Sequence, residues 1–304
     1  MENKTTVIYF VLLGFSYNLQ VQIFLFFTFL LIYMVTLMGN VMIMTVIRSN
    51  RNLHSPMYFF LSHLAFVDMC YSSVVVPKLL MNFCASRRIS YHGCIAQMFF
   101  IFLSGGTEAF ILAAMAYDRY TAICKPMHYV QIMNNTFCRL LLGGAWSIGF
   151  VFSLTNVLPF FKLVFCGPNV IKHFCCEFPS LVPLSCTETF PNRIAMFITF
   201  IAVTGSSFFI ILASYIQIIS TVLKMHSAAA KWKTFSTCSS HLIVVVLFYG
   251  TAAFSYMILT STSSIIVNDF FSLQYSVITP MLNPFIYSLK TKEVKEAIKK
   301  VIGY

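Results

Sequence analysis

Two carboxylates, Asp68 and Glu108, stand alone inside long apolar stretches. Ionised together in such surroundings they repel each other and are poorly solvated, so the pair must share a proton, bind a cation or face water. Asp118 and Arg119 sit side by side, and an unpaired cation near an apolar phase is expensive. That pair serves either as an interfacial anchor or as part of a switch. Asn283-Pro284 places a helix breaker beside a side chain able to bond the carbonyl that proline frees. No catalytic constellation accompanies these groups. The chain has no HExxH, no GxSxG and no glycine-rich phosphate loop, and its seven histidines are scattered. An enzyme is unsupported.

The elements that must position these residues are membrane helices. Of 304 residues 59% are hydrophobic and only 10% charged, whereas a globular domain is about a quarter charged. No Asp, Glu, Lys or Arg occurs from Thr5 to Ile47, Leu140 to Phe161, Ile194 to Leu223, Thr234 to Asn268 or Phe270 to Leu289. Met57 to Pro77 is interrupted only by Asp68 and a histidine, and Ile95 to Tyr117 only by Glu108. These seven runs meet the roughly 20 residues that a helix needs to cross a bilayer. They exceed barrel strands of about 10 residues and lack strict alternation. The expected architecture is all-α: one seven-transmembrane domain over 1–304, with an N-terminal segment to about 21, helices over about 22–289 and a short basic amphipathic eighth helix over about 290–304. The start, MENKTTVIYF, does not resemble a cleavable signal peptide.

Charge sets the orientation. Segments after helices one, three, five and seven carry thirteen of the twenty Lys and Arg residues, which places them in the cytoplasm and the N-terminus outside. The net charge of +11 is then mostly a cytoplasmic band, not a nucleic-acid surface. Six of ten cysteines (Cys84, Cys94, Cys166, Cys175, Cys176, Cys186) fall outside, where disulfides persist, and six allow 15 pairings. The sequon at Asn3 is outside and open to glycosylation; a second, at Asn134, is inside and should stay bare.

A resemblance enters at the end of helix three. MAYDRYTAICKPMHY (Met115 to Tyr129) is similar to the MAYDRYVAIC signature of olfactory receptors, a branch of the rhodopsin-like G-protein-coupled receptors. Further matches follow in order: LLGFS (Leu12 to Ser16), Gly39-Asn40, LHSPMYFFLS (Leu53 to Ser62) with Asp68, Ser214-Tyr215, FSTCSSHL (Phe235 to Leu242), LFYG (Leu247 to Gly250) and PMLNPFIYSL (Pro280 to Leu289).

The resemblance implies a switch in which Asp118 holds Arg119 at rest, beside Tyr120. Arg119 then turns to a heterotrimeric G protein while Tyr215 and Tyr287 swing in and Asn283-Pro284 supplies the kink. The foot of helix six, KWKTFSTC, offers Lys231 and Lys233 and no acid to clamp Arg119, so other contacts must hold the resting state. The resemblance also implies a Na⁺ ion at Asp68 and Glu108 with Asn40 and Asn283 as polar neighbours, and no required cofactor. It implies disulfides Cys94–Cys176 and Cys166–Cys186. Cys175 stands where the family usually has Phe; it can compete for Cys94, with Cys84 as an unusual alternative partner, and Cys84 and Cys175 are assigned no disulfide.

Offsets from the motifs place a ligand site in the outer half. Helix three contributes Ile101, Phe102, Gly105 and Gly106; helix five contributes Met196, Thr199, Phe200 and Val203. Helix six contributes Tyr249, Ala252, Ala253 and Tyr256, with Glu177 and Phe178 as a lid. Thr199, Tyr249 and Tyr256 are the expected hydrogen-bond donors. Such a lining suits a small uncharged volatile odorant, and a ten-atom ligand gains only about 3 to 10 kcal/mol, so millimolar to micromolar affinity follows. The implied partner is a stimulatory, olfactory-type G protein that raises cAMP, in a plasma membrane with lipid as the other contact. A retinal-binding opsin is excluded because helix seven has no Lys, and the remaining alternative is an ion channel or transporter built on Asp68 and Glu108.

Overall fold

The computed structural model describes residues 8–14, 18–166, 168–260, 265–290 and 294, with backbone alone at 52, 233, 255–260, 265–268 and 288–290. Asn3 and all of the 291–304 tail except Val294 lie outside the described residues. Strand β1 (Tyr9–Leu12) leads into helix α1 (Leu19–Ser49), then α2 (Pro56–Cys84), β2 (Arg88–Ser90) and α3 (Tyr91–Cys124). A short α4 (Tyr129–Ile132) precedes α5 (Asn135–Val157), and β3 (Val170–Ile171) and α6 (Phe178–Leu181) lie in the long loop that follows. The fifth crossing is α7 (Phe190–Phe200) joined to α8 (Ser206–Lys224) through a π-helical turn over Ile201–Gly205. The sixth is α9 (Ala228–Thr260). The seventh runs from α10 (Ile265–Leu273) through a second π turn, Gln274–Ile278, into α11 (Thr279–Lys290). Among the described residues six crossings, the fifth counted from α7 through α8, are long and apolar enough to span a bilayer, and α10 and α11 end to end supply the seventh.

Their sequences explain the helices. In lipid each backbone group must be bonded within its own segment, so apolar runs of this length fold as helices. Side chains such as Phe24, Leu31, Phe209 and Val246 project outward with more than half their surface free, as a lipid-facing rim requires. Starts are capped by Asn18, Ser90 and Asn134, whose side chains accept from Gln20, Gly93 and Phe137 backbone N–H groups at 2.9, 3.1 and 2.9 Å. The second sequon asparagine is therefore occupied as the cap of α5.

Helix α3 is the axis, with nineteen buried residues, and packs against α2, α5 and α8. Its contact with α5 is close because glycine faces glycine: a Cβ on Gly149 would sit 2.4 Å from Thr107 Oγ1 and 2.8 Å from the Leu103 carbonyl, and one on Gly106 would sit 3.0 Å from Gly149 Cα. At one end of the bundle the sheet β2-β1-β3 ties the N-terminal segment over the helices, with β1 antiparallel to β2 and parallel to β3. Phe10 and Leu12 are buried beneath it.

Candidate ligand cavity and switch

Beneath this sheet a cavity of about 160 Å³ opens between α3, the fifth and sixth crossings and the long loop. Met98, Ile101, Phe102, Gly105 and Gly106 line it from α3. Their spacing of three and four repeats one face of a helix. Met196, Phe200, Val203 and Thr204 follow from the fifth crossing, where the π turn adds a residue and rotates the outer half relative to the inner. Phe248 and Ala252 come from α9, Glu177, Phe178 and Pro179 from the loop, and Tyr71, Phe152 and Tyr275 complete the wall. The volume is below the roughly 300 Å³ of drug-sized pockets.

The roof is fixed by two disulfides. Cys94 at the start of α3 is joined to Cys176, and Cys166 to Cys186 across the loop. Gln97 braces the first bridge: its amide donates to the Val74 carbonyl at 3.0 Å and its Oε1 accepts from the Cys176 amide at 2.9 Å. Glu177 is the cavity's one carboxylate among the described residues. Ser272 donates to it at 2.9 Å, Tyr275 donates to Oε1, and Cys175 donates its S–H to Oε1 at 3.3 Å. Burial first, and then the Glu177 charge, push the Cys175 thiol well above its usual range, so it stays protonated.

Deeper in the bundle the lining gives way to polar groups. Asn283 donates to Asp68 Oδ2 at 2.9 Å, while Asp68 Oδ1, Glu108 Oε1 and Asn283 Oδ1 are buried without hydrogen-bond partners. Unpartnered acceptors of this kind suit a small hard cation. Asn40 donates to the Pro280 carbonyl at 3.1 Å, the group that Pro284 leaves without its helical N–H. At the far end Tyr129 donates to Asp118 Oδ1 at 2.8 Å. Burial, and then the Asp118 charge, raise the Tyr129 phenol above its usual value, so it remains a donor. His241 on α9 links three helices: Nδ1 meets the Tyr215 hydroxyl at 2.9 Å and Nε2 meets the Leu112 carbonyl at 3.0 Å. Only a protonated Nε2 can bond a carbonyl, so the neutral ring accepts from Tyr215. Arg119 is only 5% exposed and its Nε has no hydrogen-bond partner.

The family model for the olfactory receptor matches residues 29–303. Human olfactory receptor 1L4 is 46% identical over 293 residues, covering 96% of this chain and 94% of that protein. Human olfactory receptor 5A1 is also 46% identical, over 301 residues and 99% and 96% of the two chains, and mouse olfactory receptor 5G29 is 45% identical over 302 residues, again 99% and 96%. The chain belongs to the olfactory receptor family. The crystal structure of squid rhodopsin superposes with a TM-score of 0.76 at 16% identity, over 95% of this chain and 87% of that one, which fixes the fold as that of a rhodopsin-like receptor. It is a multi-pass membrane receptor and not an enzyme.

In this olfactory receptor ten of the residues placed at the ligand site by offset lie together: Ile101, Phe102, Gly105, Gly106, Glu177, Phe178, Met196, Phe200, Val203 and Ala252. Thr199 does not join them, because it donates sideways to Asn156 Oδ1 at 3.2 Å and to its own helix. Tyr249 lies below the cavity, donating to Ser207 Oγ at 2.8 Å, and Ala253 is exposed. The reason is helical period: the face that carries Ala252 carries Phe248, four residues earlier, and position 249 is turned about 100° away. The Tyr256 side chain lies outside the described residues. Sequence offsets missed Tyr71, Met98, Phe152, Pro179, Thr204, Phe248 and Tyr275. Met98 and Phe248 were available as the four-residue neighbours of Phe102 and Ala252; Tyr71 and Tyr275 come from crossings given no role in the site.

Two expectations about the switch are corrected. The Asp118–Arg119 ion pair does not form among the described residues, and Asp118 bonds Tyr129 instead. Neighbours in a helix point about 100° apart, so an adjacent pair cannot face each other without distortion. Asn40, not Asn283, satisfies the carbonyl freed by Pro284, because Asn283 is engaged by Asp68. Tyr120 packs against Tyr117 and Lys125. Tyr287 is buried inward with its hydroxyl unpartnered. His241, inside the FSTCSSHL string, ties α9 to α8 and α3 at the end of the bundle where helix six offers no acid.

Proposed function

We propose that this receptor binds small, uncharged, mostly apolar volatile molecules in the cavity under the Cys94–Cys176 bridge and passes their binding to a stimulatory, olfactory-type heterotrimeric G protein that raises cAMP. The observation that carries the reading is the small aromatic cavity that touches the third, fifth, sixth and seventh crossings at once. A ligand there has differential contacts with two arrangements of α9, which is what a shift of population requires. The conformation seen here is the resting one: Arg119 is buried and cannot reach a partner, and His241 holds α9 to α3 and α8. Signalling then requires the His241 bonds to open and Arg119 to turn out. Asp118, Tyr120, Tyr215, Asn283, Pro284 and Tyr287 belong to that device.

The bridged end and Asn3 lie outside the cell and the Arg119 end in the cytoplasm, with the chain in the plasma membrane; the basic bias of the segments at the Arg119 end supports this. Asn3 carries a glycan. Asp68, Glu108 and Asn283 have the free acceptors to hold Na⁺, which would neutralise one of two adjacent acids and favour the resting packing. An odorant panel read through cAMP in cells expressing the chain tests the function. A response that Arg119→Ala removes supports it, and ligand-gated current that survives Arg119→Ala would replace it with a channel.

A further inference from the structure

Beside the cavity lies a cluster that the switch does not use and that shares only Glu177 with the cavity wall. His173, Cys175 and Glu177 occupy alternate positions of the loop after β3, and all three are buried. Cys175 Sγ is 3.4 Å from His173 Nδ1 and 3.3 Å from Glu177 Oε1, and the three atoms lie within 4.8 Å of one another. Around a tetrahedral ion with bonds of about 2.3 Å to sulfur and about 2.0 to 2.2 Å to nitrogen and oxygen, ligand atoms stand about 3.5 Å apart. The sulfur already has that spacing to both partners.

The surroundings hold the three groups in place. His173 Nε2 is 3.1 Å from Asp269 Oδ1 on α10 without hydrogen-bond alignment, which places a carboxylate behind the imidazole where one orients metal-binding histidines. The Cys175 amide donates to Nδ1 at 3.3 Å, so Nδ1 carries a lone pair, and an ion bound there replaces that bond. Ser272 and Tyr275 hold the Glu177 carboxylate, and the Cys94–Cys176 bridge anchors the loop between the two acidic and thiol ligands.

We propose that His173 Nδ1, Cys175 Sγ and Glu177 Oε1 form a binding site for a thiophilic divalent cation of the Zn²⁺ class, with Asp269 positioning His173. On binding, the Cys175 S–H bond breaks, its proton leaves to solvent, and the sulfur electron pair forms the metal–sulfur bond; no electron changes hands. Thiolate and carboxylate together balance the two positive charges, which a buried site requires. The mixed sulfur, nitrogen and oxygen donors select against hard Ca²⁺ and Mg²⁺. The site needs no ligand in the cavity, so its failure leaves the receptor reading intact.

The test uses the full chain in nanodiscs after chelation, in a Cys84→Ser background to remove the exposed thiol. Co²⁺ is the probe, followed by competition with Zn²⁺. The expected result is one Co²⁺ per chain with a thiolate-to-cobalt charge-transfer band in the near ultraviolet, displaced by stoichiometric Zn²⁺ and absent in Cys175→Ser. Asp269→Asn weakens Zn²⁺ binding by about 10- to 100-fold. Zinc K-edge absorption of the protein with native Cys175 shows one sulfur among light-atom ligands, a measurement that stands even if Cys175→Ser fails to fold. Absence of the band with Cys175 titrating as a free thiol, binding unchanged by Cys175→Ser, or Cys175 recovered in a disulfide each overturns the proposal.

Discussion

The two halves of the bundle are held by different physics. Around the cavity the walls are Phe102, Phe152, Phe178, Phe200 and Phe248, and Phe102 meets Phe152 edge-on at 5.4 Å between ring centres. Contacts of this kind are graded with distance and tolerant of exchange. Toward the Arg119 end, Tyr215, His241, Asp118, Tyr129, Asp68 and Asn283 are joined by directional bonds, with unpartnered polar atoms between them. Such bonds are made or broken, and each orphan atom is a partner for a second arrangement. On the proposed function, a graded sensor over a discrete lock is the arrangement that lets many shapes of ligand converge on one response.

The strongest break in that comparison is to remove the output while leaving the sensor. Arg119→Ala is expected to abolish ligand-dependent cAMP at any concentration while displacement of a bound ligand still occurs; a retained cAMP response would show that the lock does not work through this residue. Next comes filling the sensor. Ala252→Phe adds a ring to a cavity of about 160 Å³, and overpacking of about 1 to 3 kcal/mol predicts a roughly 5- to 150-fold rise in the half-maximal concentration. An unchanged dose–response curve would place the ligand elsewhere.

A third variant probes what both halves share. Gly149→Ala puts a methyl 2.4 Å from Thr107 Oγ1 and 2.8 Å from backbone, so α3 and α5 must separate. A loss of about 1 to 3 kcal/mol is expected, read as a lower melting temperature and reduced surface expression. The lock itself is addressed by His241→Phe, which keeps an aromatic ring but removes the bonds to Tyr215 and Leu112. At about 0.5 to 1.5 kcal/mol per bond, ligand-free cAMP should rise about 5-fold or more. Basal signalling that stays flat or falls would mean the pair does not restrain α9.

Much of this was legible in the sequence because lipid leaves a chain few choices. Five uncharged runs and two broken only by Asp68 or Glu108 marked seven helices, and Asp68, Glu108 and Asp118-Arg119 announced themselves as charges where charge is costly. What stayed hidden depends on rotation and reach. Tyr249 and Phe248 are neighbours in the chain, and only the rotation of α9 decides which faces the cavity. Asn40 reaches Pro280 from another helix, which no local pattern shows. The π turn at Ile201–Gly205 changes the register of the fifth crossing without any proline or charge to mark it.

The smallest expected effect tests that rotation most sharply. Thr199 is a hydroxyl on the fifth crossing and invites assignment as a ligand donor, yet its Oγ1 is committed to Asn156 Oδ1 and the Ala195 carbonyl. Thr199→Val keeps the shape and removes a part-buried bond worth about 0.5 to 1.5 kcal/mol to the α5 contact. Asn156 keeps its own bond to the Phe152 carbonyl at 2.7 Å, so the cost should fall on stability and at the low end of that range. The half-maximal odorant concentration should then move by no more than about 2-fold, well under the tenfold that 1.4 kcal/mol of lost ligand binding would give. A loss of tenfold or more, confined to ligands with a hydrogen-bond acceptor, would turn Thr199 into the cavity and shift the face of α7 by a full residue.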